Sequence, residues 1–192
     1  MQVFVRQPDE TILTWLEERR RNGLDRWDEV WNGVLHVVPP PSYAHQSFGG
    51  RLFAALRPVV SARGFDIAYE VGVFLHRGKD KPYRVPDLAI ASAANISERG
   101  IEARAEIVIE LLSPDDKSRE KFGSYAECGI DEVWLVDPMS RAIEIYVLRV
   151  STYERQDERS DGTLWSPSLQ LALSVVAGPL LRLEWATGAT EI

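Results

Sequence analysis

Three segments decide how this chain is read: RVPDLAIA (residues 84–91), EIVIELLSPDD (106–116) and EVWLVDP (132–138). Each holds a short apolar run bounded by proline, acidic or turn residues, the pattern of a strand covered on both faces. Asp87 and Glu110 interrupt two of these runs where apolar side chains are expected. A carboxylate buried in a strand is costly unless it is paired, hydrogen-bonded or bound to a metal. The two acids therefore mark a candidate metal-dependent site.

Pro86 cannot donate to a ladder, so it belongs at the start of its strand. Alternation then puts Asp87 on one face with Ala89 and Ala91, whose small side chains leave room, and Leu88 with Ile90 on the other. The bland readings are a turn aspartate after proline and a solvated edge glutamate at 110. Ser113-Pro114-Asp115-Asp116 reads as a helix start, with Ser as N-cap, Pro at the first position and acids at the positive end of the dipole. That helix is expected to reach about Cys128, with Gly129 as its stop. Phe122, Tyr125 and Ala126 form its apolar stripe, and Lys121 lies at the stripe's edge. A helical lysine is usually solvated, but this helix leaves directly from the Glu110 strand, so Lys121 can lie beside that carboxylate.

Upstream, residues 9–21 read as a short amphipathic helix with Ile12, Trp15 and Leu16 on one face. Asn32-Gly33 between two β-rich runs signals a two-residue hairpin turn. Prolines 39–41 end that hairpin. Ser42 caps a helix to about Arg63, which Pro58 should kink or shorten. His45 falls in its first turn, either half-packed on the core or leaning into the site as a proton shuttle or phosphate contact. FDIAYEVGVFL (65–75) reads as one strand, followed by a polar turn, HRGKDK (76–81). Glu70 inside this strand is either a third carboxylate of the site or an edge residue facing water. Downstream, Asp137-Pro138 is a turn, 141–150 an alternating, more exposed strand, and 153–162 a polar hairpin loop. The tail adds further strands.

At 192 residues the chain suits a single domain over 1–192 and can bury a substantial core. One cysteine, Cys128, leaves no pair for a disulfide and no cluster for zinc. The N-terminus lacks a cationic segment followed by an apolar core, and no apolar run approaches the roughly 20 residues that cross a bilayer. The expected location is the cytoplasm. A net charge of −7 argues against a globally basic nucleic-acid binder, although RRR (19–21) and KSREK (117–121) are local basic patches. Metal ions that cancel carboxylates at a site can offset such a charge.

Asp and Glu oxygens are hard ligands suited to Mg²⁺ or Mn²⁺. Two carboxylates on neighbouring strands can hold such ions, and a lysine can orient the attacking water or neutralise developing charge. No nucleophile elbow, glycine-rich phosphate loop or His/Cys ligand set is present, so serine hydrolases, P-loop enzymes and zinc enzymes have no support. Spacing alone fits a structural carboxylate pair as well as a catalytic one.

VPD (85–87), IVIELLSP (107–114), EK (120–121), Tyr125 and GIDEVWLVDP (129–138) together resemble the Uma-type restriction endonuclease family, part of the PD-(D/E)XK nuclease superfamily. WNGVL and PPPSYAH resemble its N-terminal half, so the similarity spans nearly the whole chain. The resemblance implies an α/β, restriction-endonuclease-like fold: a central mixed β-sheet flanked by helices, with an N-terminal helix and β-hairpin. It implies Asp87 and Glu110 as ligands of Mg²⁺ or Mn²⁺, DNA as substrate and a homodimer. The superfamily's E-x-K would place lysine at 112, where this chain has Leu112. The resemblance offers Lys121 instead, and the reading of the residues adds Glu70 and His45 as candidate auxiliaries. The rival expectation is an inactive nuclease-fold protein that binds DNA or protein, motivated by the acidic charge and six tryptophans.

Overall fold

The structure is a computed structural model, described here for residues 3–5, 9–25, 28–31, 34–37, 40–74, 83–114 and 117–192. The expected turns at Asn32-Gly33 and 76–81, Pro39, and the acids Asp115-Asp116 lie outside those residues. The chain opens with β1 (Val3–Val5), α1 (Glu10–Arg21), β2 (Glu29–Trp31) and β3 (Val34–Val37). Asp9 caps α1 by accepting the Ile12 N–H at 2.9 Å. The three strands form one sheet, in the order β1-β3-β2, and β2 pairs antiparallel with β3 as a hairpin.

α2 (Tyr43–Ala62) follows, with Ser42 accepting the His45 N–H as its N-cap. It runs through Pro58 without shortening. Both Pro58 and Ala54, whose carbonyl the missing N–H would have met, are exposed, so water can satisfy the freed group. Gly64, at φ +76°, then turns the chain into β4 (Phe65–Tyr69). The expected strand 65–75 breaks at Glu70, whose φ is +48°, and β5 (Val73–Phe74) joins a different sheet. A left-handed residue cannot continue a strand, so the ladder ends there.

β6 (Tyr83–Arg84) and β7 (Leu88–Ser92) come next, then β8 (Ile96–Ser97), β9 (Gly100–Glu102) and β10 (Ile107–Leu111). The helix expected from Ser113 begins later: a 3-10 turn covers Ser118–Lys121 and α3 covers only Phe122–Glu127. Buried Ser118 and an Arg119–Glu144 ion pair of 2.6 Å tie this turn to the sheet. Gly129, at φ +64°, ends α3 as expected. The chain continues through β11 (Glu132–Val136), β12 (Ile143–Arg149) and β13 (Thr152–Arg155). It closes with β14 (Leu164–Ser166), β15 (Leu171–Val176), β16 (Leu180–Trp185) and β17 (Gly188–Glu191).

The central sheet has six strands in the order β13-β12-β11-β10-β7-β4, with β10 and β11 parallel and every other pair antiparallel. Strand alternation divides its side chains between two cores. Leu88, Ile90, Ile107, Ile109, Trp134 and Val136 face α2 and the β14–β17 sheet. Ala89, Ala91, Val108, Val133 and Leu135 face Tyr125, Cys128 and Ile130. This mixed α/β architecture matches the expected fold class, with its N-terminal helix and hairpin.

Candidate active site

The strand register gathers three acids on one rung. β7 and β10 pair Leu88 with Ile109 and Ala89 with Val108, so the next step brings Asp87 opposite Glu110. β4 and β7 pair Tyr69 with Leu88, so the same step brings Glu70 opposite Asp87. The Glu70 N–H confirms it by donating to the Asp87 carbonyl at 2.9 Å. Asp87 and Glu110 also share the face of Ala89 and Val108, as alternation predicts.

Asp87 is held at the strand's beginning. Its Oδ2 accepts the Leu111 N–H at 2.7 Å, fixing the carboxylate against the end of β10. Its Oδ1 lies 3.5 Å from His45 Nε2, which also sits 3.2 Å from the Leu111 carbonyl. A carbonyl can only accept, so Nε2 carries the proton and His45 donates toward both oxygens. His45 thus reaches the site from the first turn of α2, while its buried Nδ1 has no hydrogen-bond partner among the described residues.

Glu110 is only 4% exposed. Its Oε1 accepts from Lys121 Nζ at 3.0 Å and from the Tyr125 hydroxyl. A charged partner and a second donor offset the burial of the carboxylate. Lys121 stands where the 3-10 turn passes into α3, and α3 carries Tyr125 one turn on. Leu112, at the superfamily's lysine position, packs against the core on that side instead.

Glu70 is positioned by another route. Its Oε1 accepts from Gln46 Nε2 at 2.6 Å, and Gln46 Oε1 accepts from the Tyr69 hydroxyl. Burial and then the charges of Asp87 and Glu70 push the Tyr69 hydroxyl well above the usual phenol range, so it stays a donor. Gly49 permits this approach: a Cβ there would meet the Tyr69 hydroxyl and come within 3.0 Å of Leu111 Cδ1.

The structure therefore joins Asp87 to His45, Glu110 to Lys121, and Glu70 to the backbone of Asp87. Sequence reasoning passed over Tyr125, Gln46 and Tyr69. Tyr125 counted as part of an apolar stripe, yet a tyrosine there carries a hydroxyl that needs a partner when buried. Among the described residues no group of three or more His, Cys, Asp or Glu converges to cage a metal. The donor set still fits a hard divalent cation of the Mg²⁺ type, which commonly takes one or two protein carboxylates and completes its shell with water and substrate oxygens. A cavity of about 210 Å³ between β4 and the β8–β9 segment has none of the five candidates in its lining.

Comparison with known proteins bears on the family and the fold. Residues 9–181 match the model of the Uma2 family, described as "Putative restriction endonuclease". The chain belongs to the Uma2 family. Among solved structures, the crystal structure of a "putative nuclease belonging to DUF820" from Anabaena variabilis superposes with a TM-score of 0.57. It is 22% identical, and the match covers 74% of this chain and 83% of that one, so it bears on the fold. No curated protein matches. In this Uma2 chain the PD-type aspartate and the apolar-strand glutamate occupy facing positions at one end of the central sheet.

Proposed function

We propose that this Uma2 protein is a divalent-metal-dependent endonuclease that hydrolyses DNA phosphodiester bonds. The observation that carries the reading is the shared rung of Asp87 and Glu110, with Lys121 Nζ 3.0 Å from Glu110. Asp87 and Glu110 would hold Mg²⁺ or Mn²⁺, which supplies Lewis acidity to the scissile phosphate and to the attacking water. Asp87 is oriented for this by the Leu111 N–H, and Glu110 by the Tyr125 hydroxyl. Lys121 orients the attacking water and offsets charge as it grows on the phosphoryl oxygens. His45, with its proton on Nε2, donates to a phosphate oxygen or relays a proton beside Asp87. Glu70 braces the rung through Gln46.

A single domain over residues 1–192, a cytoplasmic location and a homodimer belong to the same reading. Nucleases of this superfamily often pair to cut both strands, and among the described residues no helix is long and apolar enough to cross a membrane. The test is plasmid cleavage by purified protein with Mg²⁺ or Mn²⁺. Activity is expected with either ion, lost with EDTA and lost in Asp87→Ala. Cleavage that persists in Asp87→Ala would sink the assignment.

A further inference from the structure

The protein carries a net charge of −7 and the candidate site is acidic, so a polyanionic substrate needs cations beside it. Such cations stand on α2, on the stripe that begins at His45. Phe48, one turn after His45, is fully buried under the guanidinium of Arg141, whose Cζ lies 4.4 Å from the ring centroid. Arg51, one turn further, places its Cζ 6.0 Å from the same ring. Arg141 belongs to the 137–142 turn that follows β11. The Leu112 N–H donates to the Val136 carbonyl at 2.8 Å, so this turn leaves the end of the sheet that holds Asp87 and Glu110.

Three features set Arg141 apart from an ordinary surface arginine. Its Nε and Nη1 are buried with no hydrogen-bond partner among the described residues, while the residue remains partly exposed. Burial first, and then the charge of Arg51, weaken its hold on the proton, so the nearby counter-charge does not balance it. The adjacent acid, Asp137, uses its Oδ1 to accept the Met139 and Ser140 N–H groups of the turn. Arg141 also adopts φ +66°, where glycine or asparagine would hold the turn at lower cost. The side chain, and not the turn, explains an arginine there.

We infer that Arg51 and Arg141, gathered on Phe48, form a clamp for a backbone phosphate of the nucleic-acid strand lying across the site. Six residues of helix from His45 to Arg51 rise about 9 Å, which spans two to three base steps of roughly 3.4 Å along a duplex axis. An arginine already packed on a ring, as Arg141 is at 4.4 Å, loses little further freedom when its guanidinium meets a phosphate oxygen. The clamp rests on the nuclease reading above and gives it a defined anchor away from the scissile bond.

The test is fluorescence anisotropy of a short labelled DNA duplex in EDTA, titrated with wild type, Arg51→Gln, Arg141→Asn and the double variant over rising NaCl. Asparagine tolerates the left-handed turn, and Arg51 is exposed, so each single variant reports even if the other fails to fold. The double variant is expected to bind about tenfold more weakly. The slope of log affinity against log salt should become shallower by about 0.9 for each phosphate that the variant no longer neutralises. Unchanged affinity and slope in variants of a wild type that binds would overturn the clamp and leave the nuclease reading standing. A wild type that binds no duplex at any salt would also overturn the clamp, and plasmid cleavage with Mg²⁺ or Mn²⁺ then decides the nuclease reading on its own.

Discussion

Lys121 Nζ lies 3.0 Å from Glu110 Oε1, both largely buried, at 12% and 5% side-chain exposure. The pair offsets the burial of Glu110 inside an apolar strand, and on the proposed function it sets a cation beside the scissile phosphate. Removing one partner of such a pair costs more than removing both, because an uncompensated charge stays behind. Lys121→Met should therefore lower stability by about 3 kcal/mol. Glu110→Gln combined with Lys121→Met should recover most of that loss in urea melts. Neither protein should cleave plasmid, with rates down at least about 100-fold.

Asp87→Asn separates metal binding from folding. The amide oxygen can still accept the Leu111 N–H now bonded at 2.7 Å, so stability should stay within about 1 kcal/mol of wild type. Calorimetric titration with Mn²⁺ should then show heat for wild type and none for Asp87→Asn. Uptake in the variant equal to wild type would remove Asp87 from the metal site.

Glu132 provides the contrast. It is 1% exposed, and its carboxylate accepts from Trp134 Nε1 at 2.9 Å and the Ser168 N–H at 2.7 Å, tying the central sheet to the segment before β15. Glu132→Ala strands both donors and should cost about 2–5 kcal/mol in chemical denaturation. Mn²⁺ uptake by the folded fraction should match wild type, whereas Glu110→Gln should lose it.

Alkaline stability follows from three weak acids, Cys128 buried and Tyr69 and Tyr153 half-buried. Burial pushes the Cys128 thiol up to about 12 from an ordinary value near 9, and pushes the Tyr69 and Tyr153 hydroxyls well above the phenol range. The unfolded chain ionises these groups first and so holds fewer protons than the folded one. Their contribution is complete below about pH 9 and is lost as pH rises, Cys128 first and the tyrosines above about pH 10. Urea melts at stepped pH should show the decline beginning near pH 9, at up to about 1.4 kcal/mol per pH unit for each titrating group. Cys128→Ala should delay its onset toward pH 10.

Much of the candidate site was legible in the sequence because burial of a charge is a local anomaly. Asp87 and Glu110 stand out in apolar runs whose alternation also fixes their face, and the structure places both beside Ala89 and Val108. The same logic nominates Glu132 no less strongly, yet its partners are an indole and a backbone N–H. Glu70 lies in a run that reads as a continuous strand, and only its backbone conformation shows that the strand ends there. The helix signals at Ser113-Pro114 were chemically sound, but tertiary ties at Ser118 and Arg119 accompany a later start, which leaves Lys121 at the junction before α3.

The apolar strands, the two misplaced carboxylates and the Ser42 cap of α2 were legible beforehand, because they follow from composition and spacing within a few residues. The meeting of Asp87 and Glu110 across β7 and β10, and the convergence of His45, Lys121 and Tyr125 on them from both sides of the sheet, emerge with the folded chain. Register and helix docking are set by contacts between segments far apart in the chain, where burial of whole faces outweighs any local preference.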